Sequence, residues 1–187
     1  RELAKQVFRF FCDDIVLDYH LPSIVSFDAM LENEKSDLLD ILRTADSDIV
    51  DIRIQGGSIK TFHRNNPEVA FDFETEESDG TKTLFGMMIS MMDIIRNGRL
   101  LLVDEIDTSL HTQLVEFIIG MFNSSDHAQL VYTTHNTHLL NTNLQRRDQV
   151  YFVNKRVDGS SDLYSLFDYK DFRDSYDMEK AYLQGRF

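Results

Sequence analysis

The chain has 187 residues, 42% of them hydrophobic, with fourteen Phe and seven Tyr but only two Pro and eight Gly. That composition excludes disordered and fibrous classes and sets the scale of one globular domain, burying roughly 70% of the surface its unfolded chain exposes. A net charge of −13 argues against a broad electrostatic hold on nucleic acid, which needs clustered Lys and Arg to displace counterions.

No apolar run approaches the ~20 residues of a membrane-spanning helix, and no signal-peptide pattern opens the sequence, so a soluble, cytoplasmic protein is expected. One cysteine, Cys12, excludes an internal disulfide and fits a reducing compartment. The sequence begins on Arg and enters at once on a helical pattern, with Leu3, Val7, Phe8, Phe10, Phe11 and Ile15 as an apolar stripe. This reads as a fragment, with Cys12 as a core residue of that helix rather than a nucleophile. No G-x-x-x-x-G-K-[ST] loop occurs in the sequence, so the usual phosphate cradle of a P-loop ATPase is missing from it.

Ser36 is a good N-cap for a short helix from Asp37 to Asp46, with Leu38, Leu39, Ile41 and Leu42 on one side. From Ile49 to Glu74 the pattern alternates, with Ile52 and Ile54 against Asp51 and Arg53, a Gly56-Gly57 turn, then Val69, Phe71 and Phe73. It predicts two or three antiparallel strands around a mobile loop at His63 to Pro67.

An acidic run leads through Ser78-Asp79-Gly80 into an apolar helix from Leu84 to Ile95, rich in Met87, Met88, Met91 and Met92. An apolar helix of this kind is expected to lie buried against a sheet. Taken alone, Ser78-x-Gly80 reads first as an N-cap with a permissive glycine, although hydroxyl and N–H groups at a helix start can also hold an anion.

The most informative stretch is Leu100-Leu-Leu-Val-Asp104-Glu105. Four apolar residues running into two carboxylates describe a buried parallel strand whose C-terminal end either carries the chemistry, as a place to hold a metal and activate water, or is an acidic turn that caps the next helix. Thr108 or Ser109 can cap the following helix, in which Leu114, Phe117, Ile118 and Met121 repeat at helical spacing. A second strand, Gln129 to Thr134, then ends on His135. A right-handed crossover brings the ends of the two strands side by side, and with them Glu105 and His135. His138 fits a helix start or a packing role better than a metal pair. The densest basic positions, Arg146, Arg147, Lys155 and Arg156, read as solvated surface, so nucleic acid is possible but unsupported by charge.

Ser78-Asp-Gly80, Leu100 to Glu105, Ser109-Leu-His111 and Thr133-Thr-His135, in that order, resemble the signature loop, Walker B, D-loop and H-loop of an ABC-type ATPase. Within that superfamily the wording Glu77-Ser-Asp-Gly-Thr-Lys82, Asp104 to His111, Arg147-Asp-Gln-Val-Tyr-Phe152, Leu163-Tyr-Ser-Leu166 and Tyr182-Leu-Gln-Gly-Arg186 resembles the bacterial AAA-family ATPases of abortive-infection and related phage-defence systems. The resemblance covers residues from ~77 to 187 well and the first 75 only loosely.

It implies an α/β fold, a mainly parallel sheet with flanking helices in the manner of a P-loop NTPase head, with a smaller antiparallel β region in the N-terminal third. Residues 1–75 would form the helical and antiparallel part and 76–187 the ABC-type core. It implies ATP and Mg²⁺ as cofactors. Asp104 would hold Mg²⁺, Glu105 would act as general base or orient the attacking water, and His135 would contact the γ-phosphate. Ser78 and Gly80, with Thr81 and Lys82, would bind ATP held mainly by a second subunit, and Ser109 and His111 would lie at the interface of that homodimer. The implied partner is an effector protein, a nuclease or toxin.

Three positions depart from the transporter pattern: Glu at 77 in place of Leu, Asp at 79 in place of Gly, whose charge Lys82 would offset, and His at 111 in place of Asp. With the Walker A lysine and a clear Q-loop absent, these residues alone are expected to bind ATP poorly or not at all. Two other readings are a metal-dependent nuclease using Asp104, Glu105, Asp107 and a histidine, and a nonhydrolysing nucleotide sensor or scaffold.

Overall fold

A computed structural model describes residues 2–17, 35–40, 42–43, 48–108, 110–169 and 177–186. The chain divides into two compact units, Arg1–Leu102 with His127–Gln129 and Val103–Asp126 with Leu130–Phe187. The architecture is α/β: a parallel three-stranded sheet with helices, a three-stranded antiparallel sheet and a two-stranded antiparallel hairpin.

The first unit opens on helix α1, Glu2–Arg9, continued by a π-helical turn, Phe10–Asp14, and strand β1, Ile15–Val16. The apolar stripe of α1 does not form a core. Leu3, Phe8 and Phe11 are more than 60% exposed and Cys12 is exposed as well, which corrects the core assignment of that cysteine. Periodicity marks which side of a helix is apolar, and only tertiary contacts decide whether something covers it.

Residues 35–40 and 42–43 are helical. Lys35 already lies inside the helix, so Ser36 is not its N-cap. Leu38 and Leu42 are fully buried, whereas Ile41 and the end of the expected helix lie outside the described residues.

Strands β2 (Ile49–Gln55), β3 (Ser58–His63) and β4 (Asn66–Asp72) form an antiparallel meander in that order. Gly56 and Gly57, both at positive φ, turn β2 into β3. The expected loop from His63 to Pro67 is narrower: His63 closes β3, and Asn66 pairs back on it to open β4. Pro67 is tolerated there because β4 is an edge strand, where a missing N–H breaks no ladder.

Asp72 ends β4 and caps a one-turn helix, α2 (Phe73–Glu76), by accepting from the amides of Glu74 and Thr75. Ser78 caps the long helix α3, Asp79–Arg96. All four of its central methionines are buried, as are Leu84, Phe85, Ile89 and Ile94, the environment its nearly all-apolar sequence demands. The helix ends at Asn97, and Gly98 (φ +62°) reverses the chain where a Cβ would stand 3.2 Å from the Cβ of His127. The backbone angle favours glycine, and a side chain there would also press on His127.

Strand β5, Leu100–Val103, lies between β1 and β6, Gln129–Tyr132. Ile15 and Val16 pair with Leu100 and Leu101 in parallel register. The amides of Gln129 and Thr133 donate to the carbonyls of Arg99 and Val103, the common offset of two parallel neighbours. Leu101 is fully buried. β6 stops at Tyr132, short of the expected Thr134.

In the second unit, helix α4, Thr112–Asn123, buries Val115, Ile118, Ile119 and Phe122. A 3-10 turn at Thr137–Leu139 is capped by the Asn136 side chain. Strands β7 (Tyr151–Lys155) and β8 (Ser161–Ser165) pair as an antiparallel hairpin. Val150, Phe152 and Leu166 share a small core with Met178 and Ala181 of α5, Met178–Leu183. Among the described residues, no helix is long and apolar enough to cross a membrane.

Candidate functional site

The strands β5 and β6 end side by side, and their ends carry a connected set of polar groups. Thr133 is its centre. Its hydroxyl accepts from the Glu105 amide at 2.8 Å and donates to Asp104 Oδ1 at 2.5 Å, so one side chain holds both members of the carboxylate pair. One residue on, the Thr134 hydroxyl donates to Asp107 Oδ1 at 2.5 Å, and the Ile106 amide donates to the Thr133 carbonyl at 3.1 Å. The turn after β5 is thereby fastened to the segment after β6 along four residues.

Glu105 is the one non-glycine residue at positive φ among the described residues, at +50°. The left-handed conformation brings Cβ against the following carbonyl and costs about 1–2 kcal/mol. Such strain persists only where surroundings over-determine it, and it concentrates at functional sites. Here the holding groups are Thr133 on the amide and Thr108, whose hydroxyl donates to Glu105 Oε2 at 2.9 Å. The other carboxylate oxygen, Oε1, stands 3.9 Å from His135 Nε2, within ion-pair reach but too far for a direct hydrogen bond. Both side chains are open, Glu105 at 54% and His135 at 91% exposure.

Asp104 is exposed too. One aqueous carboxylate with a fixed rotamer fits the way Mg²⁺ is held in nucleotide sites, by one or two acids plus water and phosphate oxygens. No group of three or more His, Cys, Asp or Glu side chains among the described residues could hold a metal by itself.

Of the other expected site residues, Ser109 lies outside the described residues. His111 is exposed at the N-cap of α4 and makes no side-chain cap; Thr108, expected as the cap, serves Glu105 instead. His138 lies in the 3-10 turn Thr137–Leu139 and pairs through Nδ1 with Glu179 at 3.0 Å, beside the Thr137 hydroxyl on the same carboxylate; its side chain is exposed rather than packed.

In the first unit, the Ser78 hydroxyl accepts from the Thr81 amide at 3.1 Å and lies 2.8 Å from the Thr81 hydroxyl. Lys82 pairs with Asp79 at 2.9 Å and donates to the Glu74 carbonyl, the charge offset its spacing suggested. Gly80 has an ordinary helical backbone, and a Cβ there would meet only Ser78 Oγ at 3.7 Å. Neither strain nor crowding requires glycine, which costs a helix about 1 kcal/mol relative to alanine.

Three of the four basic positions are engaged within the second unit: Arg146 with Asp148 through two bonds of 2.9–3.0 Å, Arg156 with Asp162, and Arg147 with the carbonyls of Leu166 and Tyr169. The sequence offers Thr108 only as a helix cap and gives Thr133 and Thr134 no role of their own. The run Thr-Thr-His directly after a strand is the signal for the last two, legible only once the two strand ends are known to adjoin.

Residues 14–141 match the family described as "AAA domain, putative AbiEii toxin, Type IV TA system". The chain belongs to this AAA family. The match spans β1 through β6 and so includes Ser78, the β5 carboxylates and His135. Membership gives it a nucleotide-binding, ATPase-like function of the kind found in abortive-infection systems, and ATP with Mg²⁺ is what that family generally binds. No curated protein matches the chain.

Proposed function

We propose that these residues belong to an ABC-type ATPase head that dimerises around ATP and thereby controls an effector, a nuclease or toxin, in bacterial anti-phage defence. The observation that carries the reading is the strained Glu105 at the end of β5, held by Thr133 and Thr108 with one carboxylate oxygen facing His135.

Thr108 occupies Oε2, leaving Oε1 to accept a proton from, or orient, the water that attacks the γ-phosphate. His135, open to solvent, contacts that phosphate. Asp104 is oriented by Thr133 and holds Mg²⁺, which when bound neutralises charge on the phosphate oxygens. Ser78, with Gly80, Thr81 and Lys82 behind it, meets the γ-phosphate of nucleotide held by the partner head. Gly80 fits such a role, since its missing Cβ leaves room beside Ser78 Oγ. Ser109 and His111 lie at the interface of the two heads. The phosphate-binding lysine comes from outside these residues, and because phosphoryl transfer depends on positioning, neither half hydrolyses ATP alone.

The nuclease reading needs a multi-carboxylate metal cage. No group of three or more His, Cys, Asp or Glu side chains among the described residues could form one, which supports the single-carboxylate reading.

The test is Glu105→Gln in the full-length protein with Mg-ATP. ATP binding is retained, ATP-bound dimers accumulate, and phosphate release falls by about 10²-fold or more, the scale of a general base. Phosphate release at the wild-type rate overturns the assignment.

A further inference from the structure

We infer that Glu77 is a positioning residue: its buried carboxylate pins the start of α3 to strand β3 and so sets where Ser78 and Gly80 meet phosphate. The inference rests on the phosphate-binding reading of those two residues.

Glu77 is 9% exposed and Thr61 fully buried. Glu77 Oε1 accepts from the Thr61 hydroxyl and lies 2.8 Å from His63 Nε2. Thr61 and His63 are two residues apart on β3 and reach the same carboxylate oxygen, although the pairing with β4 shifts register between them. β3 is the central strand of the meander, bonded on both sides, and cannot shift without breaking two ladders. The His63 ring is fixed in turn by edge-on packing against Phe71 at 4.9 Å. On the other side of the tether, Glu77 is the single extended residue between α2 and the Ser78 cap, with φ −83° and ψ 157°.

The capping of α3 does not explain this arrangement. Ser78 satisfies the Thr81 amide whatever precedes it, and an apolar residue would bury itself at position 77 without needing partners. A carboxylate withdrawn from water is costly unless each oxygen is well matched. What it adds is direction, because two donors on a rigid strand fix the residue next to Ser78 in a way that apolar packing does not.

The experiment compares wild-type full-length protein with Glu77→Leu/Thr61→Val, which removes the carboxylate and its buried hydroxyl donor together, with Glu77→Gln, and with Ser78→Ala alone and combined with Glu77→Leu/Thr61→Val. Thermal stability, ATP turnover and amide hydrogen exchange at Thr81 and Lys82 are measured on each. The apolar double variant keeps its melting temperature but loses about tenfold or more in kcat. Its exchange at Thr81 and Lys82, both bonded to Ser78, rises by a similar factor. Glu77→Gln, which still accepts from Thr61, recovers most of both. On a Ser78→Ala background the double variant costs nothing further, because the group being positioned is gone.

Unchanged exchange in the double variant, or kcat losses that multiply with Ser78→Ala, overturn the inference. Should the wild type release phosphate no faster than Glu105→Gln, the ATPase reading falls, and the exchange rates still decide whether the tether exists.

Discussion

Replacing Thr133 by Val separates catalysis from stability in this site. The hydroxyl makes two bonds, one from the Glu105 amide at 2.8 Å and one to Asp104 at 2.5 Å. Both lie at an exposed strand end, where water takes over part of each, so their loss costs about 1–2 kcal/mol rather than the sum for buried bonds. Against that, the freed amide lets Glu105 leave φ +50° for an ordinary backbone region, returning about 1–2 kcal/mol of strain.

The two terms nearly cancel. Thr133→Val is expected to leave the unfolding free energy from urea titration within about 1 kcal/mol of wild type, while kcat for ATP falls by at least about tenfold, equivalent to about 1.4 kcal/mol at the transition state. Thr133→Ser keeps the hydroxyl and restores most of the turnover. Steady-state phosphate release and urea unfolding of the three full-length proteins measure both quantities. Unchanged kcat in the valine variant, or a serine variant as slow as valine, would show that Thr133 does not hold the carboxylate pair in its working geometry.

Two further outcomes test the fold. Leu101, fully buried in β5, should cost about 2–5 kcal/mol when cut to Ala, seen as a lower urea midpoint, and a loss below 1 kcal/mol would place it outside the core. The Lys60 ammonium, 2.8 Å from Asp72, holds that carboxyl below its usual range, with the Thr75 hydroxyl assisting. A carboxyl depressed in the folded state contributes stability present above its unfolded pKa and lost as pH falls through the folded one. Acidification from pH ~5 to ~2 should therefore destabilise the wild type more than Lys60→Met, in which Asp72 titrates closer to its unfolded value. Equal acid profiles by circular dichroism would refute that linkage.

The sequence by itself placed β5, the buried methionine-rich helix, the antiparallel meander and the order of the polar motifs, because these rest on local periodicity and on residue types at fixed spacing. It also marked Asp104, Glu105 and His135 as the ends of neighbouring strands, since a strand–helix–strand crossover leaves little choice.

Local pattern did not decide what covers an apolar face. Leu3, Phe8 and Phe11 keep helical spacing yet stand exposed, and Cys12 with them. Nor did it give the partners of polar side chains across long separations. Thr133 lies 28 residues from Glu105 and Glu77 lies 16 from Thr61, and hydrogen bonds at that range come from the path of the chain in space, which no window of residues contains. The positive φ of Glu105 is of the same kind: glutamate has no local preference for it, and only the surrounding threonines, brought in by tertiary folding, hold it there.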